Sequence, residues 1–275
     1  MAPNLFNGLD RDIQEALKAQ LRNLWTHHST ALEGNSLSLG ETAFVIDEGL
    51  TISGKPLKDH HEVIGHAKAI DLIYDLVDRS EPISEQVLFD LHKAVQTSLI
   101  TDVYKPIGAW KNEPNGTNTV NSDGKQIFIE FAKPATVPML MNEWLKLFNQ
   151  YLTQSSQSQE LCLQQYVNLH VAFVRIHPFF DGNGRMARLL SNVPILKAGF
   201  PPIVIPKEIR FEYIRALASY ELAVGQAQLI SGLEGEALLL PQSEKLSEFR
   251  RVCERAWNES QELVEQAKEQ QKKRT

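Results

Sequence analysis

The chain has 275 residues, 43% of them hydrophobic, enough for one large domain or two small ones with a substantial core. Its formal net charge of −6 argues against a general nucleic-acid binder and against a membrane-surface binder, so any phosphate site must be a local basic feature. The two cysteines, Cys162 and Cys253, lie in apolar helical patterns without metal-ligand spacing, which predicts buried thiols rather than a disulfide or a zinc site.

No stretch reaches ~18 apolar residues, and no charged segment followed by an apolar run opens the chain, so a cytoplasmic protein is expected. Ile13, Leu17, Leu21, Leu24 and Trp25 recur at helical spacing after Asp10, a capping residue. This amphipathic helix runs toward Ser29-Thr30-Ala31-Leu32-Glu33-Gly34-Asn35, where Gly34 is a terminator. Glu33 then opposes the dipole at a helix C-terminus, either as a solvated glutamate or as one met by an arginine. Residues 36–60 read as an irregular connector with turns at Gly49, Ser53-Gly54 and Lys55-Pro56 and a brief strand over Thr42–Ile46. His61-Glu62 lacks the second histidine four residues on that a zinc protease needs, so His60, His61 and His66 read as ordinary helix residues.

Val63, Ala67, Ile70, Leu72, Ile73, Leu76 and Val77 predict a helix ending near Arg79, and Val87, Leu88, Leu91 and Val95 predict another after Pro82. Composition then changes. Gly108-Ala109-Trp110-Lys111, Pro114-Asn115-Gly116 and Ser122-Asp123-Gly124 punctuate two β-like runs, Asn118–Asn121 and Gln126–Phe131, a hairpin signal. Such a hairpin is either packed on the core for support or a flap over a site. A helix follows Pro138, then a polar Ser/Gln-rich loop over Thr153–Gln159. Leu161 to Ile176 is apolar around most of a helix and is expected to be the central buried one.

That helix delivers His177-Pro-Phe-Phe-Asp181-Gly182-Asn183-Gly184-Arg185-Met-Ala-Arg188. The proline pushes His177 toward extended backbone and a loop carrying an imidazole. Asp181 supplies a hard oxygen donor. Gly182, Asn183 and Gly184 allow successive N–H groups to converge on an anion, at the N-terminus of a helix expected to begin near Arg185. Arg185 and Arg188, three apart, share a helix face and could grip one polyphosphate. Singly, each residue fits a capping loop with a buried histidine and surface arginines. Together they describe transfer of part of a nucleotide to an acceptor whose proton His177 removes. This helix is expected to end near Ala198-Gly199. Another spans Glu208–Leu222, with Tyr213 either core or ligand. From Gln242 on, 8 basic and 7 acidic residues intersperse in one amphipathic helix that packs on the core or mediates homodimerisation.

The stretch His177–Arg188 resembles the motif of the Fic family, His-Pro-Phe-x-(Asp/Glu)-Gly-Asn-(Gly/Lys)-Arg-x-x-Arg, and matches every defined position. The resemblance implies a mainly α Fic fold with a hairpin flap over the active site. It implies an enzyme that transfers AMP from ATP to a Ser, Thr or Tyr hydroxyl of a target protein, with Mg²⁺ on Asp181. Gly182, Asn183, Gly184 and Arg185 would hold the phosphates, Arg188 the γ-phosphate, and Tyr213 the adenine. Ile127, Phe128 and Ile129 of the flap would dock the target. Ser29-x-x-x-Glu33-Gly34 fits the family's N-terminal inhibitory pattern, which implies that Glu33 pairs with Arg188. Where the family often has Gly-x-Tyr-Arg, this chain has Gly108-Ala109-Trp110-Lys111.

The expected organisation is an N-terminal helical region (1–57) with the inhibitory segment 29–35, a Fic core (58–225) and a C-terminal helical extension (226–275). Two rival functions stay open: removal of AMP from a modified target with Glu33 orienting water, and non-catalytic nucleotide binding. Phosphate transfer, which in the family goes with Lys at the position of Gly184, is not expected.

Overall fold

In the computed structural model, residues 5–97, 104–120, 124–154, 158–228, 230 and 232–274 are described. The chain is mainly helical with one antiparallel strand pair, as the sequence led us to expect. The first helix, α1 (Arg11–Ala31), buries Ile13, Leu17, Leu21, Leu24 and Trp25 along one stripe. Asp10 precedes it but makes no side-chain cap. Where a strand was expected at Thr42–Ile46, the chain forms helix α2 (Leu39–Glu48). Local chemistry overrides the β-branched residues there. Ser38 Oγ accepts from Glu41 N at 3.3 Å, Glu41 Oε2 accepts from Ser38 N at 2.7 Å, and Gly49 closes the helix at φ 67°.

Helices α3 (Leu57–Asp78) and α4 (Glu85–Val95) follow, then the hairpin β1 (Gly116–Val120) and β2 (Gln126–Glu130). Thr119 pairs with Ile127 and Gly116 with Glu130. Asn121, Ser122 and Asp123 of the expected turn lie outside the described residues, as do 155–157 of the Ser/Gln-rich loop. Helices α5 (Val137–Thr153) and α6 (Gln159–Ile176) come next, and Trp144 Nε1 donates to Leu169 O at 3.0 Å to lock one on the other. Most of α6 is buried, as its largely apolar circumference requires, against α5, α7 (Asn183–Leu190), α8 (Val193–Lys197) and α11 (Leu246–Ala256).

The single motif helix expected to run to Ala198 is two helices, α7 and α8. Pro194 has no N–H for the carbonyl of Leu190, so the first ends there. Asn192 fills the break, donating to Arg188 O and Ile203 O and accepting from Ile203 N. Beyond α9 (Arg210–Val224) and α10 (Gly235–Leu239), the expected C-terminal helix is likewise two, α11 and α12 (Asn258–Lys272), with buried Trp257 between them donating to Pro201 O at 2.7 Å. Both cysteines are buried thiols.

The main core draws on Leu24, Trp25 and Leu32 at one end of the chain and on Phe249, Val252 and Trp257 at the other. A second apolar cluster joins Leu5, Leu9, Ile13, Leu17 and Leu21 to Val264 and Ala267, so α12 braces α1. Arg274 extends the brace with a two-pronged contact to Asp12. Among the described residues no helix is long and apolar enough to cross a membrane. Leu21 is fully buried in this seam. Leu21→Ala should destabilise the protein by about 2–5 kcal/mol, read as a lower urea midpoint at unchanged slope.

Candidate functional site

His177 caps the C-terminus of α6 with φ 51° and ψ 59°, the only positive φ outside glycine among the described residues. Left-handed backbone is uncommon for a side-chain-bearing residue and costs on the order of 1 kcal/mol. It contradicts the extended backbone expected from the following proline. The reason is tertiary: His177 N still donates to Phe173 O at 2.9 Å, and the imidazole stacks on Phe131 with centroids 3.8 Å apart. Its Nδ1 lies 3.1 Å from Val174 O. A carbonyl only accepts, so Nδ1 carries the proton and Nε2 is left as the acceptor. Burial, with the Lys111 cation adding to it, pulls the imidazole down to about 4. His177 is thus neutral near pH 7 and able to take a proton.

The loop after it is fastened by Asn183, which accepts from Phe179 N at 2.9 Å and donates to Phe179 O at 2.8 Å. Asp181 Oδ1 accepts from Gly182 N at 2.6 Å. Burial raises the Asp181 carboxyl, but the Arg185 cation and the Gly182 N–H more than offset this and keep it ionised. Gly182 stands at φ 78°, which strains any other residue, and a Cβ there would fall 2.9 Å from Gln96 Nε2 and push that amide aside. Helix α7 starts at Asn183, two residues before the expected start, so its unpaired first-turn N–H groups include those of Asn183 and Gly184.

The two arginines diverge. Arg185 is buried, gives Nη1 to Val95 O at 3.3 Å and lies 3.9 Å from Asp181 Oδ2. Arg188 turns to α1: Nε donates to Ser29 Oγ at 3.0 Å, Nη2 to Ser29 O at 2.9 Å and to Glu33 Oε1 at 2.6 Å, and Nη1 to the Tyr213 hydroxyl at 3.3 Å. Gly34 turns the chain away from Glu33 with φ 99°. Gly184 makes room for this contact, since a Cβ there would lie 2.6 Å from Glu33 Oε1. Tyr213 is buried and its hydroxyl also meets His170 Nε2 at 2.9 Å.

A cavity of about 340 Å³ gathers Glu33, His177, Asp181, Gly182, Asn183, Gly184, Arg188 and Tyr213. Arg185 does not line it. The hairpin forms one wall through Gly116, Thr117, Asn118, Thr119 and Ile129, whereas Ile127 and Phe128 do not line it and Phe128 is 61% exposed. The apolar wall comes from Val171, Val174, Ile214 and Leu217.

Sequence reasoning missed His92, Lys111, Asn115 and His170. His92 stacks on Phe179 and holds Asp181 O at 3.0 Å while accepting from Gly108 N at 2.9 Å. A polar residue within an apolar helical stripe was the only signal for His92 and His170.

Residues 82–195 match the model of the Fic/DOC family. That stretch, which includes His177–Arg188, is similar to a Fic domain. Protein adenylyltransferase fic-1 of Caenorhabditis elegans is 31% identical over 207 residues, which cover 74% of this chain and 38% of that protein. Protein adenylyltransferase Fic of Nematostella vectensis is 29% identical over 192 residues, 70% of this chain and 41% of that protein. The chain thus spans about two fifths of the length of these curated relatives. A Fic-domain-containing signalling protein from Bacteroides thetaiotaomicron shares the fold at TM-score 0.78 over 96% of this chain and 92% of that one, with 23% identity. A glutamate-to-glycine variant of C. elegans Fic-1 aligns at TM-score 0.66 and 27% identity, over 96% of this chain and 69% of that one.

The Arg188–Glu33 pair has a definite pH dependence. Burial raises the Glu33 carboxyl, but Arg188 beside it outweighs burial and holds it below its ordinary value of 4.5. A depressed folded-state pKa means that the stabilisation is complete above 4.5 and is lost as pH falls through the folded value. The Glu33 side chain keeps 41% of its surface exposed, so screening makes the term modest, about 1 kcal/mol. The Tm gap between wild type and Glu33→Gln should be widest near neutral pH and close in acid. A gap that is constant with pH would rule out an ionic contribution from this pair.

Proposed function

We propose that this protein is an adenylyltransferase held in check by its own α1, transferring AMP from ATP to a Ser, Thr or Tyr hydroxyl of a target protein or of itself. The observation that carries this reading is the occupied Arg188: the arginine suited to a terminal phosphate is satisfied by Glu33 inside the same cavity as a neutral His177. The names of the matched relatives point to the same chemistry.

His177 Nε2 takes the acceptor's proton as the hydroxyl oxygen bonds to the α-phosphorus and the bond to pyrophosphate breaks. The N–H groups of Asn183 and Gly184 and the α7 N-terminus favour the negative phosphates. With Glu33 in place, Arg188 is withheld from the γ-phosphate, so the nucleotide lacks the clamp that would align it. Asp181 is suited to Mg²⁺. Its side chain is 73% exposed at the cavity, and no group of three His, Cys, Asp or Glu stands among the described residues. One carboxylate plus substrate phosphates is the usual Mg²⁺ donor set. When bound, Mg²⁺ would offset charge on those phosphates.

A second reading rests on Glu33 itself, whose half-exposed carboxylate shares the cavity with His177. It could orient water to remove AMP from a modified protein. Incubation with α-phosphate-labelled ATP and Mg²⁺ tests the first reading. Glu33→Gly should label itself about tenfold or more above wild type, and Glu33→Gly/His177→Ala should carry no label. Equal labelling of wild type and Glu33→Gly would refute the restraint. Release of AMP from a modified target by wild type alone would favour the second reading.

A further inference from the structure

The segment between α4 and β1 carries a buried lysine in a helical protein whose other lysines sit mostly at the surface. Lys111 is 3% exposed. Its Nζ donates to Asn115 Oδ1 at 2.6 Å and lies 3.4 Å from Ile176 O, and its main-chain N donates to Pro178 O at 2.8 Å. One residue therefore takes the carbonyls on both sides of His177. Asn115 extends the arrangement, giving Nδ2 to Phe179 O at 3.0 Å and accepting at its own carbonyl from Phe131 N, next to the ring on which His177 stacks. Burying an ammonium costs free energy, and here burial lowers Lys111 to about 8. A leucine or methionine would fill that space without the cost, so the charge has to be explained by what it holds.

We propose that Lys111 is a positioning residue for His177: with Asn115 it fixes the left-handed turn that presents the imidazole and ties that turn to the root of the hairpin. The role follows from the strain. A left-handed His177 persists only if its surroundings over-determine it, and carbonyls 176 and 178 are the handles by which that peptide could flip. Asn115 stands one residue before β1, so the strand that walls the cavity and the turn that carries the base share one anchor. Arginine offers the same donors to carbonyl oxygens, whereas methionine offers none.

The inference rests on the adenylyltransferase reading for its rate measurement alone. In the full chain carrying Glu33→Gly, Lys111→Met should slow labelling about 10- to 100-fold with KM for ATP unchanged, and Lys111→Arg should restore most of the rate. The second readout needs no activity: the imidazole titration of His177 followed by NMR. The charged groups facing His177 are Lys111, Glu33 and Asp181. Of these only Lys111 changes, so the midpoint should rise in Lys111→Met and in Lys111→Gln and return with Lys111→Arg. Lys111→Gln keeps a donor and serves if Lys111→Met does not fold. Parent rate with an unmoved midpoint would overturn the positioning role and leave the adenylyltransferase reading intact. A shifted midpoint in a chain that never labels would refute adenylyl transfer and uphold the role of Lys111.

Discussion

Arg188 is a cation buried in the middle of a protein, and that fact organises the site. A guanidinium removed from water needs its donors met and its charge balanced. Ser29 and Tyr213 meet donors from two sides, but both are neutral. The balancing charge comes from Glu33, on the last turn leading out of α1. Any anion able to replace that carboxylate at Arg188 competes with the chain's own structure. On the proposed function, regulation and binding are two solutions of one electrostatic problem, with a polyphosphate in the cavity supplying the charge that Glu33 supplies in its absence.

The supports around this centre are arranged to keep it fixed. The imidazole hangs from the end of α6, a largely buried helix, and the arginine from α7, whose loop is pinned by Asn183. Reactive groups on helix ends inherit the rigidity of the helices. Around the cavity, exposed surface gathers at the hairpin, at the turn carrying Glu33, at Asp181 and at Ile214. The sides open to solvent are thus the lightly packed ones, whereas His177 and Arg188 are held by the core.

Sequence patterns disclosed much of this because they follow from local chemistry. The three- and four-residue spacing of Ile13, Leu17 and Leu21 predicted α1, and the run from Leu161 to Ile176 predicted a buried helix because most of its circumference was apolar. Failures came where a weaker local signal met a stronger one. Thr42, Val45 and Ile46 favour a strand by branching, yet Ser38 and Glu41 close a capping box that starts a helix. The break at Pro194 follows from proline's missing donor, although the apolar spacing of Met186, Leu189, Leu190 and Val193 points to a continuing helix. His92 and His170 showed only as polar residues in apolar stripes, because their partners are 16 to 89 residues away in the chain. Arg185 and Arg188 were correctly placed on one helix, but spacing alone gives no account of what faces them. One met α4 and the other α1.

The glycine at 184 links two distant parts of the sequence. A methyl group there would occupy the space taken by the Glu33 carboxylate. The two positions, 151 residues apart, cannot vary independently while the contact is kept. A larger residue at 184 would push the end of the Glu33 side chain away and weaken its hold on Arg188. Loss of the glutamate relieves only part of the constraint, because a Cβ at 184 would also lie 3.0 Å from Arg188 Nη1. The glycine can therefore outlive its glutamate, but a glutamate that keeps this contact does not outlive its glycine.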